Sequence, residues 1–101
     1  QNMKALLMDA DFNDPKLKVL VKDHKFVCYN KDFRVIKLRE VRNVEVRRQK
    51  AKSSVTYAID FAFGGNKNVN IQLKNRPENV RQLVDYLNEK EGTKISLPFQ
   101  W

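Results

Sequence analysis

One stretch, from Val55 to Leu87, narrows the folds open to this chain more than any other. Val55, Tyr57, Ile59, Phe61 and Phe63 alternate with Thr56, Ala58, Asp60 and Ala62, the period of a strand with one aromatic-rich apolar face. Gly64-Gly65-Asn66 suits a reversal, because glycine and asparagine tolerate backbone angles that other residues avoid. Val69, Ile71 and Leu73 then alternate with Asn68, Asn70, Gln72 and Lys74 in a returning strand. Val80, Leu83, Val84 and Leu87 follow at i, i+3, i+4 and i+7, which places one apolar stripe on a helix. The expected arrangement is a hairpin that leads directly into one amphipathic helix.

Upstream, Leu17, Val19 and Val21 alternate with Lys16, Lys18 and Lys22 in a strand with a mostly basic second face, interrupted by Leu20. Asp23-His24 reads as a tight connection, Phe26 to Tyr29 as the returning strand, and Asn30-Lys31-Asp32 as a further turn into Phe33 to Ile36. Met3 to Met8 is apolar without a decisive period, and Asp11 to Pro15 has the composition of a turn. Leu38, Val41, Val44 and Val46 step by three, three and two, so a loose turn leads into a strand near residues 42–49. Residues 47–54 lack a large apolar side chain and read as the longest polar, flexible connection.

The helix carries its own punctuation over about residues 76–91. Asn75 precedes Glu78 at capping-box spacing, Pro77 sits in the first turn, and Gly92 suits the C-terminal cap. Beyond it, Ile95, Leu97, Phe99 and Trp101 alternate, so the end over 93–101 is expected to add a strand or dock in a groove. The fold class is therefore α+β and mainly β, in a single domain over 1–101 with its strands within 17–73. The expected shape is a bent antiparallel sheet or partly open barrel capped by one C-terminal helix.

The 101 residues suffice for one core. The single cysteine, Cys28, excludes an internal disulfide framework and points to a reducing, cytoplasmic setting. Its apolar neighbours make it a core residue on a strand. No apolar run reaches the roughly 20 residues of a membrane-spanning helix, and the start lacks a signal-peptide layout. The chain opens on Gln1, so either Met3 is the original start or the piece belongs to a longer chain. The net charge of +8 is unevenly spread. Residues 16–52 hold eight lysines and five arginines against four carboxylates, a surplus of +9, while 1–15 carry −2 and 53–101 carry +1. So local a surplus suggests a basic face that attracts anionic partners.

Catalytic signals are lacking. His24 is the lone imidazole and stands in a turn, where it is expected to be exposed without a partner to activate. No His, Cys, Asp or Glu cluster has metal-ligand spacing, and no cofactor motif is present. Ser53 and Ser54 lack a nucleophile-elbow pattern, and Gly64-Gly65 is not followed by the Lys-Ser/Thr of a phosphate loop. The expectation is a chain that is not an enzyme and holds no cofactor or metal. The candidate binding residues are Arg47, Arg48, Lys50 and Lys52, with Lys22 and Lys25 as neighbours, and loop cations of this kind bind anions through charge-assisted hydrogen bonds. Phe99 and Trp101 are the candidate interaction surface.

The order of elements carries a resemblance. Leu17 to Asn30, the run Ile36-Lys-Leu-Arg-Glu-Val-Arg-Asn-Val-Glu-Val46, two further strands, and Arg76-Pro-Glu-Asn-Val-Arg-Gln-Leu-Val-Asp-Tyr-Leu-Asn88 together resemble the pleckstrin-homology-like superfold, especially its small bacterial and GRAM-type members. The chain departs from the eukaryotic branch, whose closing helix usually carries a tryptophan. The resemblance implies a binding module, with a protein partner or self-association first. Peripheral attachment to anionic membrane lipid through residues 47–52 comes second, and nucleic-acid binding by the basic face, with Tyr29 and Phe33 as stacking residues, comes third. A phosphoinositide site between the first two strands is not expected. The Asp23-His24 turn is too tight to wrap a headgroup, and the loop after Met8 is acidic.

Overall fold

A computed structural model describes residues 9–30 and 33–96. Phe99 and Trp101 lie outside the described residues, as do Met3 to Met8. Strands β1 (Phe12–Asp14), β2 (Val19–Lys22), β3 (Lys25–Cys28) and β4 (Arg34–Lys37) form one antiparallel sheet in sequence order. A 3-10 turn, Leu38–Glu40, leads to β5 (Asn43–Ala51), β6 (Ser54–Ala62) and β7 (Asn68–Leu73), a second antiparallel sheet in sequence order. Helix α1, Pro77–Lys90, follows. The mainly β, α+β class is as the periodicity predicts. The single bent sheet is corrected to two sheets, and among the described residues no closed barrel forms.

The core lies between the facing sides of the sheets, with the helix against it. Val19, Val21, Phe26, Cys28 and Ile36 come from the first sheet, and Val44, Val46, Tyr57, Ile59, Phe61, Ile71 and Leu73 from the second. Register lines these residues up across the strands: Phe26 opposes Ile36, and Ile59 opposes both Val46 and Ile71. Phe26 and Phe61 meet between the sheets with ring centroids 5.1 Å apart. The stripe Val80, Leu83, Val84 and Leu87 joins this cluster, and burying each such side chain contributes about 1.5–3 kcal/mol. Leu20 and Val27, on the other face of the first sheet, are buried as well.

Four local readings are corrected. Asp11–Pro15 is not simply a turn, because Phe12–Asp14 pairs with Val19–Val21 as β1. The turn shifts to Pro15–Lys18 because the Asp14 carboxylate accepts the backbone N–H groups of Lys16 and Leu17, both at 3.0 Å. Residues 47–54 are not a flexible connection: β5 runs to Ala51, β6 starts at Ser54, and only Lys52 and Ser53 turn the chain. Backbone pairing with β6 holds this part of β5, although little core lies beneath it. The capping box does not form, since Pro77 begins the helix and makes Arg76 the N-cap without a side-chain bond. His24 also has a partner, described below.

The helix is tied at both ends. Asn79 donates to Asp14 at 2.8 Å, the Phe12 and Tyr86 ring centroids are 4.8 Å apart, and Glu91 reaches the β2–β3 turn. Past the C-terminus Gly92 takes φ +72°, as a residue ending a helix often must, and the chain turns back along the molecule. Among the described residues no helix is long and apolar enough to cross a membrane.

Candidate functional site

The features that best define a site surround β5, the edge strand of the second sheet. One side of β5 is paired with β6; the other has no strand beside it among the described residues. Two adjoining hollows follow that open edge. One, of about 330 Å³, is lined by Leu38, Val41, Arg42, Val44, Gly92 and Lys94 among others. The next, of about 420 Å³, lies between residues 43–47 of β5 and Lys94 and Ser96.

The far wall is the segment 92–96, and one side chain fixes it. The Asn88 carboxamide accepts from the Ile95 N–H at 2.9 Å and from the Thr93 hydroxyl at 2.8 Å. It donates to the Ile95 carbonyl at 3.1 Å. Ile95 is thereby buried in the core cluster. This is the first part of the apolar end that the alternation in the sequence singles out; its role for Asn88 has no periodic signal and is visible only in three dimensions.

The near end of the groove is set by four contacts. Leu38 N–H donates to the His24 carbonyl at 2.9 Å, and Arg42 N–H donates to the Ala62 carbonyl at 2.7 Å. The Arg42 guanidinium lies across Gly64, where a Cβ would sit 3.0 Å from Nε, so the bare backbone of Gly64 makes room for the arginine. His24 Nδ1 and a Glu91 carboxylate oxygen are 3.0 Å apart, with the Glu91 side chain 8% exposed and the histidine 46%. The histidine expected to stand alone in its turn therefore clamps that turn to the end of α1.

The six cations singled out in the sequence fall into two groups. Lys22 and Lys25 are directly opposed at the β2–β3 turn, and Lys25 also opposes Lys37. Lys22 Nζ donates to the Asp9 carbonyl at 3.2 Å. This group lies near His24, Glu91 and the start of β5. Arg47, Arg48, Lys50 and Lys52 lie toward the other end of β5, whose run from Asn43 to Ala51 spans about 26 Å at the usual strand rise. The structure does not gather all six into one site.

Within the second group the faces differ. Arg47 is on the water side of the sheet, ion-paired with Asp60, which also accepts from Asn70, and Gln72 donates to Asn70 in turn. Arg48 and Lys50 are on the core-side face, in register with Tyr57 and Val55 and past the last buried valine, Val46. Lys52 occupies the turn itself at φ +50°.

Of the two aromatics named for stacking, Tyr29 is half-buried with its hydroxyl donating to Asn13 at 2.8 Å, whereas Phe33 is 54% exposed. Val35, two residues after Phe33, is 47% exposed. Cys28 is buried among core residues. Among the described residues no three or more His, Cys, Asp or Glu side chains group as metal ligands. No protein-family profile, characterised protein or solved structure matches this chain.

Proposed function

We propose that this chain is a non-catalytic, pleckstrin-homology-like binding module that takes an extended segment of a protein partner along the open edge of β5. The order of four strands, three strands and a C-terminal helix supports the pleckstrin-homology-like reading. The observation that carries the function is the groove itself. It pairs a long edge strand, with backbone donors and acceptors to satisfy, with a second wall pinned by Asn88. An added strand gains main-chain hydrogen bonds on one side and side-chain contacts on the other.

Selection from a displayed library of random peptides, followed by amide chemical-shift mapping of the selected sequences, tests this reading. Shift changes along residues 43–50 and 94–96 are expected. Lys50→Pro, at an edge position where proline is tolerated, should weaken binding while leaving the fold intact. Selected peptides that perturb other surfaces, or bind the Lys50→Pro variant equally well, would exclude it.

The same hairpin supports a second reading, attachment to anionic membrane. Arg48, Lys50 and Lys52 cluster at its tip, and each well-placed cation adds about 1 kcal/mol at an acidic surface. Flotation with phosphatidylserine vesicles at low salt should recover the protein, and recovery equal to that with neutral vesicles would dismiss the idea.

A further inference from the structure

The register of the β5–β6 hairpin says which residues of β5 face the groove and in what order. Ala51 and Ser54 flank a two-residue turn and so form its closing hydrogen-bonded pair. Counting back by twos, Gln49, Arg47, Glu45 and Asn43 direct their backbone groups toward β6. Lys50, Arg48, Val46 and Val44 direct theirs to the open edge. In a strand added there, each residue opposite one of these four would share its face of the sheet.

That face changes character midway along β5. Val44 and Val46 are buried in the core, and the groove beside them has Leu38 and Val41 in its wall. Arg48 and Lys50 are exposed cations, with Lys52 following in the turn. Glu45 is the one carboxylate on β5, and it belongs to the other face. Arg42 and Lys94 add positive charge in the groove wall.

From this order we infer that the partner segment is acidic at one end and apolar at the other. Read in the antiparallel direction, the more stable pairing, its alternate residues run acidic, acidic, apolar, apolar from N- to C-terminus. The carboxylates meet Lys50 and Arg48, and the apolar side chains meet Val46 and Val44. This deepens the strand-addition reading above and depends on it.

The probe is a synthetic peptide, acetyl-E-S-E-S-V-S-V-amide, beside its counterpart acetyl-K-S-K-S-V-S-V-amide, titrated into the isotope-labelled full chain. The acidic peptide is expected to bind about tenfold more tightly at low salt, with the preference fading toward parity near 1 M salt, where the screening length is about 3 Å. In the double variant Arg48→Glu, Lys50→Glu the preference should invert toward the lysine peptide, and cooperative thermal unfolding of that variant shows that the fold survives. Equal binding of both peptides with shifts along Val44 to Lys50 would overturn the acidic assignment and leave strand addition standing. Shifts elsewhere, or no binding of either peptide, would remove both. Recovery on phosphatidylserine vesicles with no peptide binding would assign the cations to lipid and also end the proposal.

Discussion

Asn88 and Ile95 are joined twice over, the carboxamide of one meeting both the N–H and the carbonyl of the other at 2.9 and 3.1 Å. This imitates a pair of strand residues with a side chain in place of one backbone. It lets a segment outside both sheets present Ile95 to the core and Lys94 and Ser96 to the groove.

Replacing Asn88 with alanine leaves two part-buried backbone groups of Ile95 without their partner, a loss of about 1–3 kcal/mol. Urea unfolding should show that loss, and hydrogen exchange at the Ile95 amide should quicken well beyond the global change. Unaltered protection at Ile95 in the variant would mean that the segment is held by something else.

Asp14 is 5% exposed and accepts three bonds, two from backbone amides and one from Asn79. Asp14→Ala removes all three and should cost about 2–3 kcal/mol, near the upper range for leaving buried donors unpaired. Asp14→Asn should cost less, since one oxygen remains for the turn and Asn79 can rotate its amide to offer an acceptor. Equal losses in the two variants, measured by denaturant titration, would rule out this division of labour.

The His24 and Glu91 pair joins residues 67 positions apart, yet the imidazole is about half exposed. Its coupling energy, from a double-mutant cycle with alanine at each site, should therefore stay below about 1 kcal/mol. Glu91→Ala alone should nevertheless loosen the β2–β3 turn, seen as faster exchange at the Leu38 amide that donates to His24. A coupling of several kcal/mol would show that the pair is far better shielded from water than its exposure indicates.

Two phenols make stability sensitive to alkali. Burial first, then the Asp11 and Glu91 carboxylates, holds Tyr86 above its ordinary value of 10.0. Burial, then Asp14 and Cys28, does the same for Tyr29. The unfolded chain gives up these protons earlier than the folded one. The two groups' stabilisation is thus complete below about pH 10 and is lost as pH rises through the raised folded values. Urea midpoints followed from about pH 9 to pH 11 should fall less steeply in Tyr86→Phe, which keeps the ring against Phe12 and removes the ionisation. Parallel slopes for wild type and variant would contradict the assignment.

The hairpin from Val55 to Leu73 and the helix after it are legible in the sequence because each buries one face at a sharp period. Phe61, Ile59, Leu83 and Leu87 are all fully buried, as that period predicts. The far half of β5 is not legible, since no core lies under Gln49 to Ala51 to impose alternation; its order comes from the backbone of β6. Strand β1 is hidden for a different reason: Asn13 and Asp14 are turn-forming residues, held extended by Leu20 and Val19 across the ladder. The clamp at Glu91 and the pin at Asn88 join groups through single side chains, which leave no pattern along the chain. The basic surplus of residues 16–52 is legible in the sequence, but the separation of Lys22 and Lys25 at the β2–β3 turn from Arg47 to Lys52 along the far half of β5 follows from strand pairing, which charge counting does not sense.

A nine-residue edge strand is a standing invitation for another molecule of the same kind to zip onto it. Two copies overlapped along the whole antiparallel rim would set Lys50 and Arg48 of each against Val44 and Val46 of the other, which give a cation no counter-charge, and the shorter overlaps that bring the cations face to face add like-charge repulsion. The cationic stretch thus disfavours pairing of the rim with its own copy, and under the strand-addition proposal the same charges are the ones an acidic partner would neutralise.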